Sequence, residues 1–298
     1  MRIGFVGAGR MGRPMIRRLV QAGHSVRAVG RSAEARAALA ETGADPVESV
    51  TAAARDAEAV VVCVFTDDQV REVCLGGPLL RALPHDAVLI VHTTGSPATV
   101  ADIAAAAPPG VGVVDAPVSG GPHSIAAGEL SVFLGGADDA VDRARAVVRA
   151  YADPVLHVGP LGAGQRVKLV NNALFAAQIG LVADAIRLGA QLEVDEATLL
   201  AALPHASSGG RAVTSVAAKG AVEVFRASVG EFLRKDVAVA RALVTELGGD
   251  LGILDAAIDA GVGGGPGGGA GAGGGGGGGG RAPPGPAGGG TGGRAGRR

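Results

Sequence analysis

This sequence of 298 residues lacks several features that would assign it to a particular class of protein. It has no excess of charge, because 27 lysine and arginine residues are matched by 28 aspartate and glutamate residues, giving a formal net charge of −1. Nothing in that balance favours binding to nucleic acid or to an anionic membrane. Its two cysteines, Cys63 and Cys74, are too few for a disulfide framework, and we expect both to be buried apolar side chains in a reducing compartment.

Long apolar runs are also missing. No uninterrupted run approaches the roughly 20 residues that a membrane-spanning helix needs. The N-terminus lacks the basic, apolar and small-residue order of a signal peptide, since glycines break its apolar run at once. The sequence therefore predicts a soluble, cytoplasmic protein with no nucleic-acid or membrane partner.

Composition changes sharply near residue 261. From residue 263 to the end, the chain contains only Gly, Pro, Ala, Arg and one Thr. Such a segment offers nothing to bury, so a disordered tail over 261–298 is expected. The same composition would also result from a shifted reading frame in G/C-rich DNA, and the sequence leaves these two origins open.

The first twelve residues carry the strongest motif. Gly7, Gly9 and Gly12 have G-x-G-x-x-G spacing between an apolar strand pattern and a helical pattern. The first glycine allows a tight turn, the second lets the backbone approach a pyrophosphate, and the third lets the helix pack on the strand. Three such glycines can also form a mere turn, but a second strand pattern at 25–29 favours a dinucleotide site. Its expected contacts are Gly7, Ala8, Gly9, Arg10, Met11 and Gly12.

Short apolar runs alternate with amphipathic helical stretches up to about residue 160. The predicted strands lie at 2–6, 25–29, 59–64, 88–91, 111–115, 130–134 and 155–157. This alternation is typical of a mostly parallel sheet with helices on both faces. After residue 164 the strand pattern stops, and 165–192 can form one long helix followed by shorter ones. The sequence thus predicts an α/β Rossmann-like domain at 1–160 and an all-α domain, opened by a long helix, at 161–260.

The end of the second predicted strand indicates which nucleotide is preferred. NAD-binding proteins of this type place an Asp or Glu there for the ribose hydroxyls, but this chain has Arg31 and Ser32. The guanidinium of Arg31 suits a 2′-phosphate. A lone solvated arginine is the alternative. We therefore expect NADP to be preferred, with NAD possible.

Four separated segments together resemble the β-hydroxyacid dehydrogenases, which include 3-hydroxyisobutyrate dehydrogenase and tartronate semialdehyde reductase. They are GFVGAGRMGRPM at 4–15, DAPVSGG at 115–121 with AGEL at 127–130, GPLGAGQRVKLVNN at 159–172, and the pair Lys235-Asp236. They follow the family's order and spacing over about residues 1–255. The resemblance implies a Rossmann-like domain followed by a helical domain, and reversible oxidation of a small β-hydroxyacid with NAD(P).

The resemblance also implies roles for residues of the predicted site. Lys168 would be the general acid/base, with Asn172 beside it, and these residues are i and i+4 on one helical face. Thr94 would line the nicotinamide side, and Lys235 would close over the cofactor. A lysine among apolar neighbours would have its pKa lowered towards the operating pH.

The substrate carboxylate would be held by Ser119 with Gly120 and Gly121, whose turn offers a hydroxyl and backbone N–H groups. His123, after an unusual Pro122, is expected near the mouth of the substrate site. No motif indicates a metal. The family also implies a homodimer or homotetramer, if the C-terminus permits.

Two departures from the family pattern are visible. Residues 65–67 read Phe-Thr-Asp where Met-Leu-Pro is typical, and the glycine-rich tail stands where the family has its last helix. The alternatives are an imine reductase-like NADPH enzyme, whose members typically lack a lysine at position 168, and a cofactor-binding protein inactivated by its C-terminus.

Overall fold

Within residues 1–262, the part of the chain that the computed structural model describes, nine strands form one sheet. Their bounds are β1 (Arg2–Val6), β2 (Ser25–Val29), β3 (Asp45–Val47), β4 (Ala59–Val62), β5 (Val88–Val91), β6 (Gly112–Asp115), β7 (Val118–Ser119), β8 (Leu130–Gly135) and β9 (Ala152–Gly159). Most of the tail predicted at 261–298 lies outside the described residues.

The sheet has the strand order of a dinucleotide-binding fold. Strands β3-β2-β1-β4-β5-β6 are neighbours in that order, and every pair among them is parallel. Beyond β6, β8 runs antiparallel to β6 and β7 and parallel to β9. The order reverses between β1 and β4, which places a crevice at the carboxyl ends of these two strands. The Rossmann-like prediction is confirmed.

Eight α-helices connect or follow the strands of this half, among the residues described. They are α1 (Gly12–Gln21), α2 (Ala33–Ala40), α3 (Val50–Ala54), α4 (Asp67–Arg71), α5 (Leu79–Ala82), α6 (Pro97–Ala106), α7 (Pro122–Ala127) and α8 (Asp138–Val148). Side-chain caps help fix where several of them begin: the hydroxyl of Ser96 accepts from Ala98 N at the start of α6, and Thr66 and Gln69 form a capping box on α4.

The continuous apolar runs of the central strands are explained by burial on both faces. In β4, Ala59 and Val61 belong to one core cluster, with Phe5 and Ile90, while Val60 and Val62 belong to the cluster on the opposite face. Successive side chains of a strand point to opposite faces, so a strand covered on both sides is apolar at every position.

The second half is all-helical, as predicted. It contains α9 (Ala163–Gln191), α10 (Glu196–Ala202), α11 (Arg211–Ala217), α12 (Val222–Glu246) and α13 (Ile253–Val262). Its core includes Ala176 and Ile179 from α9, Leu233 from α12 and Ile258 from α13. Over the described residues, 1–262, this half packs with the sheet in one compact unit.

A helix replaces part of the predicted tail. We expected the glycine-rich segment to begin at residue 261, yet α13 continues through Gly261 and Val262, and both are buried. The reason is a close helix crossing. A side chain at Gly261 would overlap the carbonyl oxygen of Ala176 on α9, and one at Gly180 would overlap the carbonyl oxygen of Ala257.

In the described part of the chain, α9 alone is long and apolar enough to cross a membrane by length and composition. The core helix of a soluble protein passes the same test, and the apolar window of α9 is 44% buried. The buried side chains of α9 include the polar residues Gln165, Lys168 and Asn172.

Candidate active site

The three motif glycines have three different environments. Gly7 has φ of +101°, and a Cβ there would overlap the carbonyl oxygen of Cys63 at the end of β4. A Cβ at Gly12 would overlap the carbonyl oxygen of Gly7, so α1 starts in direct contact with the turn. At Gly9, by contrast, a Cβ would have no heavy atom within 4 Å. Two glycines are therefore needed by the fold itself, whereas Gly9 leaves open space where a pyrophosphate would approach the backbone at the start of α1.

Arg31 and Ser32 lie at the carboxyl end of β2, on the same edge of the sheet. Arg31 is exposed, whereas nearby Arg36 is already paired with Glu48 at 3.1 Å. The Ser32 hydroxyl accepts a hydrogen bond from Ala35 N at 3.2 Å and so caps α2. Arg31 thus presents its guanidinium to solvent at the position where a 2′-phosphate is bound in this fold.

The loops that follow β4 and β5 are fastened to each other. The Thr93 hydroxyl donates to Val64 O at 2.9 Å and accepts from Val64 N at 3.0 Å. Asp67 accepts from Ser96 N at 3.1 Å and from the Thr99 hydroxyl at 2.6 Å. The unusual Asp67 therefore has a structural function, because it ties the loop after β4 to the loop that carries Thr94.

Four polar side chains meet between α9 and α12, and we call them the lysine cluster: Lys168, Asn172, Lys235 and Asp236. Asn172 donates to Asp236 Oδ2 at 2.6 Å. The ammonium of Lys235 lies 2.6 Å from Asp236 Oδ1, close enough for an ion pair but without hydrogen-bond geometry, and donates to Thr94 O at 3.0 Å. The cluster is thereby joined to the loop after β5.

Lys168 is the buried cation of this cluster, with 9% of its surface exposed. Burial lowers its pKa from 10.5 to about 8, an effect opposed by the carboxylate of Asp236 and reinforced by the ammonium of Lys235. Among the described residues its Nζ makes no hydrogen bond. A lysine with a pKa near neutrality can both donate and accept a proton, which is what a general acid/base requires.

The first turn of α9 is anchored by a buried carboxylate. Asp115, at the end of β6, accepts from Gly162 N at 2.6 Å and from Gln165 N at 2.7 Å. Burial raises its pKa, while these two hydrogen bonds act in the opposite direction. An acceptor at the N-terminus of a helix satisfies unpaired N–H groups, so Asp115 fixes the start of the helix that carries Lys168.

The segment predicted to hold a carboxylate follows β6. Ser119 is partly buried at the end of β7, and Gly120 has φ of +131°, a conformation that favours glycine. His123 is exposed, and its Nε2 lies 3.3 Å from the Ser124 hydroxyl. In the structure, the hydrogen bonds found for His123 stay within its own helix, so it does not join the lysine cluster.

The buried histidine near the site is unsuited to proton transfer. His92, just before Thr93, contacts Ala116 O through Nδ1 and the Tyr151 hydroxyl through Nε2, the latter at 2.7 Å. Burial lowers its pKa to about 4, so it is neutral at physiological pH. Within residues 1–262, no group of three His, Cys, Asp or Glu side chains could hold a metal ion.

Several site residues were missed by sequence reasoning. Asp115, Gln165 and Asp236 lie within the family motifs but were given no role, and Asp67 was noted only as part of a departure from the family pattern. The spacing of 165, 168 and 172 on one helix was a usable signal for Gln165. The hydrogen-bond donors to Asp67, Asp115 and Asp236 lie 29 to 64 residues away in sequence, so no local pattern reveals them.

Known proteins match both halves of the chain. Residues 2–159 match the NAD-binding domain of 6-phosphogluconate dehydrogenase, and residues 162–260 match the NAD-binding domain of NADP-dependent 3-hydroxyisobutyrate dehydrogenase. A 3-hydroxyisobutyrate dehydrogenase from Pseudomonas aeruginosa is 35% identical over 71% of this chain and 72% of its own. The chain belongs to the β-hydroxyacid dehydrogenase family.

Further relatives differ in substrate and cofactor. An NAD-dependent L-serine dehydrogenase from P. aeruginosa is 34% identical to this β-hydroxyacid dehydrogenase, over 70% of each chain. The solved structure of a 3-hydroxyisobutyrate dehydrogenase from Mycobacterium tuberculosis with L-serine has a TM-score of 0.76 and 28% identity, over 86% of this chain and 91% of that one. The protein is an NAD(P)-dependent oxidoreductase that acts on the CH–OH group of a small hydroxyacid.

Proposed function

We propose that Lys168 is the general acid/base of this β-hydroxyacid dehydrogenase, acting on a small β-hydroxyacid or aldehyde acid of the 3-hydroxyisobutyrate or 2-hydroxy-3-oxopropionate type. The observation that carries this proposal is a buried lysine, with a pKa of about 8, in a cluster joined to the loop that holds Thr94. When bound, the nicotinamide cofactor supplies or accepts the hydride. Protonated Lys168 donates its proton to the substrate carbonyl oxygen during reduction, and neutral Lys168 removes the hydroxyl proton during oxidation.

The other members of the lysine cluster orient and tune this proton donor. Asn172 is one turn from Lys168 and is held by the carboxylate of Asp236. Asp236 favours the protonated form of Lys168, and Lys235 disfavours it. We infer that Asn172 touches the same substrate oxygen as Lys168, since its side chain is fixed on the same helical face.

Carboxylate binding falls to the segment after β6. Ser119 offers a hydroxyl, and Gly120 and Gly121 offer backbone N–H groups without side chains in the way. His123 stands exposed at the start of α7, where it is available to contact the part of the substrate that differs between relatives. This assignment rests on the family motif at 115–121 and on the open turn at Gly120.

For the cofactor we propose a preference for NADP over NAD. The glycine turn with Ala8, Arg10 and Met11 would hold the pyrophosphate, and Arg31 with Ser32 would hold the 2′-phosphate. The exposed guanidinium and the lack of a carboxylate at 30–32 support this choice. Both NAD and NADP occur among the relatives, so the proposed preference for NADP depends on Arg31.

The decisive test is initial-rate reduction of succinic semialdehyde, methylmalonate semialdehyde, tartronate semialdehyde, glyoxylate and one cyclic imine, with NADPH and NADH in parallel. We expect turnover of at least one aldehyde acid, faster with NADPH. Reduction of the imine alone would refute the substrate class. Cofactor binding without any turnover would instead indicate either a protein inactivated at its C-terminus or a substrate outside this class.

We also propose a cytoplasmic homo-oligomer, a dimer or a tetramer. Five apolar side chains of α9 and that of its C-cap residue are exposed at helical spacing and form a stripe away from the lysine cluster: Val167, Val170, Leu174, Leu181, Leu188 and the C-cap Leu192. An exposed apolar stripe of this length is typical of a surface covered by a partner. Beside it lies a cavity of about 280 Å³ lined partly by Leu181 and Leu203.

Light scattering coupled to size-exclusion chromatography tests the assembly. Leu181→Glu places a charge in the stripe and should shift the protein to a monomer. Leu247→Glu is the control, since Leu247 is also exposed, at 77% against 60% for Leu181, but caps the end of α12, outside the stripe. Unchanged mass in the first variant would rule out the stripe as the interface.

A further inference from the structure

Gln165 uses both ends of its side-chain amide. It lies in the first turn of α9 and is only 1% exposed. Its Nε2 donates to Thr93 O at 2.9 Å, and its Oε1 accepts from Gly95 N at 3.0 Å. This arrangement fixes the orientation of the amide, because the flipped amide would place donor against donor and acceptor against acceptor.

The backbone of Gln165 is fixed as well. Its N–H donates to Asp115 Oδ2 at 2.7 Å, and the other oxygen of that carboxylate holds Gly162 N at 2.6 Å. The position of the residue is therefore set by the end of β6, and its side chain extends from that point to the loop after β5. A short, fully hydrogen-bonded bridge of this kind transmits position more accurately than apolar contact does, since hydrogen bonds are directional.

Three consecutive residues of the loop after β5 are held by the two long helices. Gln165 of α9 holds Thr93 and Gly95, and Lys235 of α12 donates to Thr94 O at 3.0 Å. Gln165 is one helical turn before Lys168, and both are among the buried residues of α9. The amide bridge therefore spans the gap between the loop that carries Thr94 and the helix that carries the proposed acid/base.

We propose that Gln165 is a positioning residue, which sets the distance between the nicotinamide-side loop at 93–95 and Lys168. This inference rests on the proposed function, because the loop and Lys168 must act on the same substrate. Glutamine suits the task since it offers one donor and one acceptor without charge. A carboxylate at this position would lose the bond to Thr93 O, and an apolar side chain of the same length would lose both bonds.

The first experiment compares Gln165→Met with Gln191→Met, an exposed glutamine at the other end of α9. We expect Gln165→Met to lower kcat by about 10- to 100-fold, because small displacements of reacting groups have effects of this size. KM and the Kd for NADPH should change less than about 3-fold, as expected when the altered interaction serves the transition state. In the cofactor-free protein, amide hydrogen exchange at Gly95 should become faster in Gln165→Met alone. Unchanged kcat or unchanged exchange at Gly95 would overturn the proposal.

The second experiment uses Gln165→Glu and its pH profile. The introduced carboxyl, when protonated, can donate to Thr93 O and accept from Gly95 N as the amide does. Its pKa will be raised by burial and by Asp115, and lowered by Lys168 and Lys235, while His92 is neutral there. At low pH, both the activity and the slow amide exchange at Gly95 should therefore be near those of the natural protein. Both should be lost as the introduced carboxyl ionises. This loss should occur at a lower pH than the loss of reduction activity that deprotonation of Lys168 causes. A profile identical to that of the natural protein would contradict the proposal.

Lys168→Met, assayed alongside, separates the two levels of inference. If this variant retains turnover, the proposed function itself is wrong. If it is inactive while Gln165→Met retains full kcat, only the positioning role of Gln165 fails.

Discussion

Two parts of the candidate site are built in different ways. One is the carboxyl edge of the parallel strands, which we call the cofactor edge, and the other is the lysine cluster. At the cofactor edge, each residue expected to contact the cofactor lies in a short turn at the end of a strand, as Gly7, Gly9 and Arg31 do. In the lysine cluster, Asn172 of α9 meets Asp236 of α12, 64 residues further along the chain. A turn can be recognised from a few neighbouring residues, whereas a pairing between helices depends on how the whole domain packs. The family resemblance pointed to Lys168, Asn172 and Lys235, but the structure was needed to show that Asp236 joins them.

The largest expected effect is on kcat and comes from a substitution in the lysine cluster. Lys168→Met should lower kcat by about 10²- to 10⁴-fold, the usual contribution of a general acid/base. NADPH affinity should stay nearly unchanged, as measured by fluorescence titration. In the natural protein, reduction should be lost and oxidation gained as the pH rises through about 8, the pKa of Lys168. A parallel fall in NADPH affinity would argue against the proton-transfer role.

The same substitution should stabilise the fold. The pKa of Lys168 is about 8 in the folded protein, compared with an ordinary value of 10.5. Below pH 8, burying the charged amine therefore lowers the free energy of unfolding by roughly 3 kcal/mol. The unfolded chain binds more protons between these values, so the natural protein should gain stability from pH 8 to 10.5. Urea unfolding should show Lys168→Met to be more stable at pH 7, with that rise absent. If the natural protein and Lys168→Met have equal free energies of unfolding at both pH 7 and pH 10, burial of Lys168 does not destabilise the fold.

Gly9 offers the sharpest test of the cofactor edge. Gly9→Ala finds open space, so the melting temperature should barely change, while NADPH binding should weaken by about 10- to 100-fold because a methyl group blocks the pyrophosphate. Gly7→Ala is the contrasting variant and should lower the melting temperature strongly, owing to its positive φ and the nearby Cys63 carbonyl. Loss of stability in both variants would erase the distinction between them.

A smaller effect is expected at Asp236. Asp236→Asn keeps the shape and removes the charge that favours protonated Lys168. The pH limb of reduction should therefore move to lower pH, and kcat near pH 7 should fall by about 10-fold, consistent with an indirect contribution to acid/base catalysis. A limb at an unchanged pH would show that Asp236 does not act on Lys168 through its charge.

The last expected effect concerns the choice of cofactor. Arg31→Ala should raise the Kd for NADPH about 10-fold and leave that for NADH nearly unchanged, because the guanidinium serves a phosphate that NADH lacks. Isothermal titration with both cofactors measures the ratio. Equal losses would remove the basis for an NADP preference.

Sequence patterns predicted the main elements because each is encoded locally. The bounds of β1, β2 and β5 agree with prediction to the residue, since β1 and β5 are short apolar runs and β2 alternates buried and more exposed residues. Other elements were missed for physical reasons. β3 contains Pro46 and β7 has two residues, so neither shows a strand period, and the short α3, α5 and α7 give too few turns to show a helical one.

The helix crossing at Gly180 and Gly261 has a consequence for anyone who shortens or fuses this chain. By composition, the boundary falls near residue 261, just before the run of glycines that begins at residue 263. By packing, Gly261 is an interior position whose missing side chain lets two helices touch. A cut after Val262 leaves that crossing intact, whereas a cut before Gly261 also removes the carbonyl groups that Arg226 and Arg234 hold. Gly261, which composition assigns to the low-complexity tail, thus belongs to the core of the folded domain.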